Sequence, residues 1–165
     1  MAKTYRVNFT VRASNALAAA LLRMGVPLGP MTLLTVRGRK SGEPRTTPVA
    51  LTEQDGRRII VGTFGDVNWV RNLRAAGEAA LTRGRRSEHV TVRELSAEEA
   101  APLLKRALSG APGMVRGYFD VTPDSSLEAF VREAPRHPVF LVTPVRAAAT
   151  DADARASNAP QRRAS

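Results

Sequence analysis

Between Leu33 and Leu51 the chain reads LLTVRGRKSGEPRTTPVAL, an apolar run, a compact turn and a second strand-like run. Few folded structures accommodate such a stretch. Glycine adopts positive φ and proline presets its own, so strands that meet over Gly38, Ser41, Gly42 and Pro44 form a hairpin. A second hairpin follows at once. The runs Arg45–Thr52 and Arg57–Thr63 are separated by Glu53-Gln54-Asp55-Gly56, and Asp-Gly is a strong hairpin signal. Together with Met31–Val36, this makes three strands at short spacing.

Further strands are expected over Ala79–Arg83 and Arg86–Leu95, joined through Gly84, and over Pro138–Val145. In the second of these Val90 and Val92 face one way and His89, Thr91 and Arg93 the other, which makes His89 a surface residue. Helices are expected over Ser14–Met24, capped by Ser14 or Asn15 and stopped by Gly25, and over Asn68–Ala76, capped by Asp66 and stopped by Gly77. Leu17, Leu21 and Met24, widened by Ala18 and Leu22, form the apolar stripe of the first helix. Ser96–Glu99 and Ser125–Glu128 read as capping boxes of two later helices, the first carrying an awkward Pro102 and the second ending at Pro135. Gly110–Asp120 is irregular. Residues 1–30 read as an N-terminal segment and helix, 31–146 as the barrel domain and 147–165 as a disordered tail without periodicity. Six strands with intervening helices suit a mainly-β α+β split barrel, and an oligonucleotide-binding barrel would give a similar count.

Composition narrows the chemistry. No cysteine is present, which excludes disulfides and thiolate sites, and His89 and His137 are too far apart in sequence to suggest a metal site. A net charge of +10 points to nucleic acid, an anionic membrane surface or a polyanionic small molecule as partner. No run has the length of a membrane-spanning helix, and Met1–Thr10 lacks a signal-peptide core, so a cytoplasmic protein is expected. There is no G-x-S-x-G, no Walker-type loop and no G-x-G-x-x-G, and Glu98-Glu99 is an adjacent pair in a helix cap. An enzyme built this way must borrow its reactivity from a cofactor. The basic turn offers a place for one. Arg39, Lys40 and Arg45 beside Ser41, Thr46 and Thr47 suit phosphate or carboxylate oxygens, although an exposed basic hairpin would carry the same residues.

GRKSGEPRTTPV (Gly38–Val49), GTFG (Gly62–Gly65) and NWVRNL (Asn68–Leu73) occur in that order, and together they resemble the deazaflavin-dependent nitroreductase and quinone-reductase family of actinobacteria. The resemblance runs from about Leu33 to Leu95 and more loosely to Val145. It implies a six-stranded split β-barrel of the pyridoxine-phosphate-oxidase-like kind, with peripheral helices, that binds coenzyme F-420, an 8-hydroxy-5-deazaflavin with a phosphate-containing linker and a glutamate tail. FMN is the runner-up. In this resemblance Arg39, Lys40 and Ser41 hold the phosphate and acidic tail, and Arg45, Thr46, Thr47, Pro48, Val49 and Ala50 border the ring. Gly62, Thr63, Phe64 and Gly65 form the loop on the phosphate side, and Asn68, Trp69, Val70, Arg71 and Asn72 lie over the ring. Tyr118 or Phe119 lines an acceptor pocket.

Departures are visible too. Thr63-Phe64-Gly65 replaces the Ser-Lys-Gly of several relatives, and their tyrosine-rich pocket is thinned to Tyr118. Trp69, with Leu73 and Ala76, also reads as a plain core stripe, Phe64 as a core residue at a strand end, and Arg71 and Arg74 as a solvated face. Arg83, Arg85 and Arg86 flank a hairpin glycine and are expected in water. The implied activity is hydride transfer from reduced coenzyme to a quinone, an activated alkene or a nitroaromatic. Peripheral membrane association, and a monomeric or homodimeric state, stay open. Two other readings are a basic nucleic-acid-binding barrel, disfavoured by an aromatic content of 5%, and a non-catalytic binder of deazaflavin, FMN or lipid.

Overall fold

The computed structural model describes residues 9–145, with side chains from residue 13 onward. Six strands, β1 (Met31–Arg37), β2 (Pro44–Gln54), β3 (Arg57–Val61), β4 (Glu78–Arg83), β5 (Arg86–Glu94) and β6 (Val139–Pro144), close into a barrel in the order β1-β2-β3-β6-β5-β4. Every neighbouring pair is antiparallel. This is the mainly-β split barrel with peripheral helices expected from the sequence. Asp55 and Gly56 both take positive φ between β2 and β3, as a primed two-residue turn requires. The expected tail over 147–165 and the start of the N-terminal segment lie outside the described residues.

Inward-facing residues fill the barrel, among them Leu34, Val36, Val49, Ile60, Leu81, Val90 and Phe140. Helix α2 (Asn68–Ala76) closes one end by adding Val70 and Leu73 to this core. It stops at Gly77, which is left-handed and donates its N–H to the Leu73 carbonyl. Its start differs from expectation. Val67 is the N-cap and no side chain caps it, because the Asp66 carboxylate is held by Arg71 at 2.8 Å and Arg74 at 2.7 Å. Those arginines also hold the Asp66 carboxyl below the usual carboxylate range.

The outer wall is covered from two sides. Helices α3 (Ala97–Ser109) and α5 (Leu127–Glu133), with the short α4 (Gly113–Arg116) between them, bury Ala100, Leu104, Leu108 and Phe130 against Ile59 and Val139. α3 runs through Pro102 without interruption, and its expected capping box is present. The second box is shifted by a residue: Ser126 caps α5, whereas Ser125 Oγ accepts the Thr122 N–H. On the other side, α1 (Phe9–Arg23) starts before the expected Ser14 cap and packs Ala19 and Leu22 on Leu33. Its expected stripe is buried only in part: Leu22 is, Ala18 and Leu21 are half-buried, and Leu17 and Met24 are 63% and 71% exposed. Ala19 and Leu22, three residues apart, share the face that meets Leu33, and Leu17 and Met24 turn away from it. No helix among the described residues is long and apolar enough to cross a membrane.

In the α3 box, Glu99 accepts from the Ser96 N–H and from Arg93, which hold its carboxyl at about 2, down from 4.5. A depressed carboxylate adds stability above its unfolded value and loses it as pH falls towards the folded one. Thermal midpoints should therefore drop between pH 4.5 and about 2 more steeply for wild type than for Glu99→Gln. Parallel curves would remove Glu99 from the acid response.

Candidate coenzyme site

The turn between β1 and β2 is built tightly. Gly38 N–H donates to the Glu43 carbonyl and Gly42 N–H to the Gly38 carbonyl, both at 2.8 Å. Ser41 Oγ accepts the Glu43 N–H at 3.3 Å, and a side chain at Gly38 would sit 2.9 Å from that oxygen. The Glu43 carbonyl would be 3.2 Å from the same Cβ, so glycine lets the turn close this tightly. The turn is then locked to α2 by Asn72, which is 6% exposed. Its Oδ1 accepts both the Arg39 backbone N–H, at 3.2 Å, and Arg39 Nη1, at 2.8 Å. The helix that closes the barrel thus also aims the first cation of the turn.

Between this turn, the start of β2, α1 and α2 lies a groove of about 750 Å³. It is lined by Gly38, Arg39, Lys40 and Ser41, by Arg45, Thr46, Thr47 and Pro48, by Asn68, Trp69 and Asn72, and by Asn15, Ala16, Ala19 and Arg23 of α1. Four cations and no carboxylate stand among those residues. Arg45 is shared with Glu43 at 3.1 Å, and Thr46 Oγ1 bonds Thr35 Oγ1 at 2.9 Å. Trp69 packs its ring on Phe140, centroids 6.2 Å apart, so it is core support and groove wall at once. A polyanion finds cations and hydroxyls at one part of this groove, and a flat ring finds Pro48, Ala19 and Trp69 at another.

Other expected residues are placed elsewhere. Val49 and Val70 turn into the barrel core, because strand alternation and the inner face of α2 bury them, so their side chains cannot reach a ligand in the groove. Ala50 is exposed beyond the groove lining, and Arg71 is engaged with Asp66. Gly62–Gly65 stands apart from the groove lining. Gly62 is a packing glycine, where a Cβ would meet Pro138 and Val70 at 3.2 Å. Phe64, which is 39% exposed, meets Tyr118 edge to face at 4.9 Å.

That loop is pinned by a residue the sequence did not single out. His137 is buried, with Nδ1 2.9 Å from the Thr63 carbonyl and Nε2 3.0 Å from Glu133 Oε1. Phe119 stacks on its ring at 3.8 Å. Burial pushes the imidazole below its ordinary value, against the pull of Glu133. A His and a Glu spaced i, i+4 are visible in the sequence, but their burial is not. The contribution of α1 to the groove, through Asn15, Ala16, Ala19 and Arg23, was likewise missed.

Residues 6–134 match the family of F-420H(2)-dependent quinone reductase. The chain belongs to this family. It is accordingly an oxidoreductase that depends on F-420, and the match gives no support to FMN. Among solved structures, an F-420-H(2) dependent reductase (FDR-A) is 26% identical over 69% of this chain and 94% of its own, with a TM-score of 0.49. A second, described as a domain-swapped dimer, is 24% identical over 82% of this chain and all 100% of its own, with a TM-score of 0.51, and shows the shared fold. A protein of the pyridoxinephosphate oxidase family from Clostridium acetobutylicum, related to general stress protein 26, is 13% identical over 81% of this chain and 82% of its own (TM-score 0.46).

Proposed function

We propose that the groove holds reduced coenzyme F-420 and that the enzyme delivers its hydride to a quinone, an activated alkene or a nitroaromatic. The observation that carries this reading is the groove itself, where the basic turn, the start of β2 and the start of α2 meet around one polyanion-sized space. When bound, the coenzyme supplies the hydride. The chain supplies grip and alignment: Arg39, Lys40 and Ser41 for phosphate and glutamates, Thr46, Thr47, Pro48 and Trp69 for the ring. Asn72 acts behind Arg39, fixing its guanidinium before the ligand arrives. On the acceptor side, Tyr118 with Phe64 is the surface pair, whereas Phe119 is taken up by His137. Exposed Leu17 and Met24 on α1 offer apolar surface for peripheral contact with a membrane carrying a lipid-soluble acceptor. A nucleic-acid role is disfavoured, since stacking platforms are needed and Phe64 is the exposed phenylalanine among residues 13–145.

Titration of the purified protein should show F-420 binding at micromolar concentration, with FMN, which lacks the glutamate tail, weaker by about tenfold or more. Equal affinity for FMN, or no binding of F-420, would sink the assignment of the groove. Acceptor screening with loaded enzyme then ranks quinones against nitroaromatics, and size-exclusion chromatography separates monomer from homodimer.

A further inference from the structure

Helix α2 closes one end of the barrel; at the other end the strands leave a second cavity of about 720 Å³. Its chemistry follows from strand alternation. Leu34, Leu51, Ile60, Leu81 and Val90 point inward, so the next inward positions towards this end are Thr32, Glu53, Arg58, Arg83 and Glu88. The apolar interior gives way to a charged mouth over a floor of Leu51 and Leu81. Arg58 is already neutralised, bonded through both terminal nitrogens to Glu88.

The other arginines are not. Arg83 spends one Nη on the Gly29 and Met31 carbonyls, at 3.4 and 3.3 Å, which leaves its charge uncompensated. Arg86 stands directly opposite Arg83 in the β4–β5 register, and Arg85 is in the turn between them. Like charges in direct cross-strand register destabilise a hairpin unless something anionic lies between them. Four arginines and two glutamates line this mouth, leaving an excess of two positive charges crowded at one hairpin end. These arginines are solvent-accessible, as the sequence suggests, yet they converge on a cavity.

The geometry points to a second anion site at the open mouth, separate from the coenzyme groove: Arg83, Arg85 and Arg86 take the dianionic head of an organic phosphate monoester. Two charges on one group match the local excess, which a monocarboxylate cannot. The organic body of the ligand rests on Leu51 and Leu81 below the arginines. The volume exceeds what bare phosphate needs, so the head group is the anchor and the body the source of selectivity.

Calorimetric titration of the full chain at fixed ionic strength with phenyl phosphate, inorganic phosphate and benzoate tests this. Phenyl phosphate should bind most tightly, inorganic phosphate less so and benzoate least. Arg86→Ala should weaken phenyl phosphate by about tenfold or more, from one lost charge-assisted contact, while its F-420 affinity stays unchanged. The same variant, free of ligand, should melt higher than wild type because the Arg83–Arg86 repulsion is gone, and phenyl phosphate should no longer raise its midpoint. Benzoate binding as tightly as phenyl phosphate would overturn the site. So would an Arg86→Ala variant with unchanged phenyl phosphate affinity, or loss of that affinity on changing Arg39 and Lys40 instead, which would return the anion to the groove.

Discussion

Replacing Arg39 and Lys40 together by alanine is expected to weaken F-420 binding by about 2–4 kcal/mol, from two lost charge-assisted contacts. That corresponds to roughly 30- to 700-fold in Kd. Both residues line the groove and are exposed, so their removal costs little packing. The turn should survive, since its own bonds run through Gly38, Gly42, Glu43 and Ser41. Arg39 is also pre-aimed by Asn72 Oδ1, so less side-chain freedom is lost on binding than for a loose surface arginine. Wild-type binding should weaken with added salt, because the site is open to solvent. A coenzyme fragment without glutamates should bind wild type and variant more nearly alike. An unchanged Kd in a variant with an unchanged melting midpoint would remove the basic turn from the site and leave Arg23 and Arg45 as the candidates.

The second large effect concerns stability. Glu133 is 5% exposed, and its carboxyl group meets three partners. Oε1 takes the Asp120 N–H at 3.0 Å and faces His137 Nε2 at 3.0 Å, and Oε2 meets Arg136 at 3.3 Å. Glu133→Ala removes all three contacts and leaves the buried His137 ring without its partner at Nε2. Each polar group left unpaired in such a site costs about 1–3 kcal/mol, and two or three of them make up a large fraction of a small domain's stability. Urea unfolding should show the midpoint falling accordingly, with a smaller drop for Glu133→Gln, which keeps an acceptor oxygen for the Asp120 N–H. The loss should also loosen the Thr63–Phe64 loop, which His137 holds, and with it the Phe64–Tyr118 contact. Weaker near-ultraviolet circular dichroism before unfolding would report that change. A cost under about 1 kcal/mol for Glu133→Ala would mean that this cluster is solvated rather than buried.

What the sequence by itself determined is local. Strand alternation around Val90 and Val92, the Asp55-Gly56 turn, the glycine stop of α2 and the Ser96–Glu99 box each depend on residues a few positions apart, and each is present. The basic turn was also legible, because its glycines and cations are contiguous. Only closure of the barrel decided the rest. Asn72 reaches Arg39, and His137 reaches Thr63, across spans of 33 and 74 residues. Whether a polar side chain in such a pair is buried acceptor or solvated surface depends on which wall the fold brings against it. The same holds for α1, where the helical period was visible but its phase was not. Leu17 and Leu22 are equally hydrophobic, yet Leu22 lies with Ala19 over Leu33 while Leu17 stays exposed. Hydrophobicity is carried by each residue alone; the face that is buried is chosen by the surface it meets.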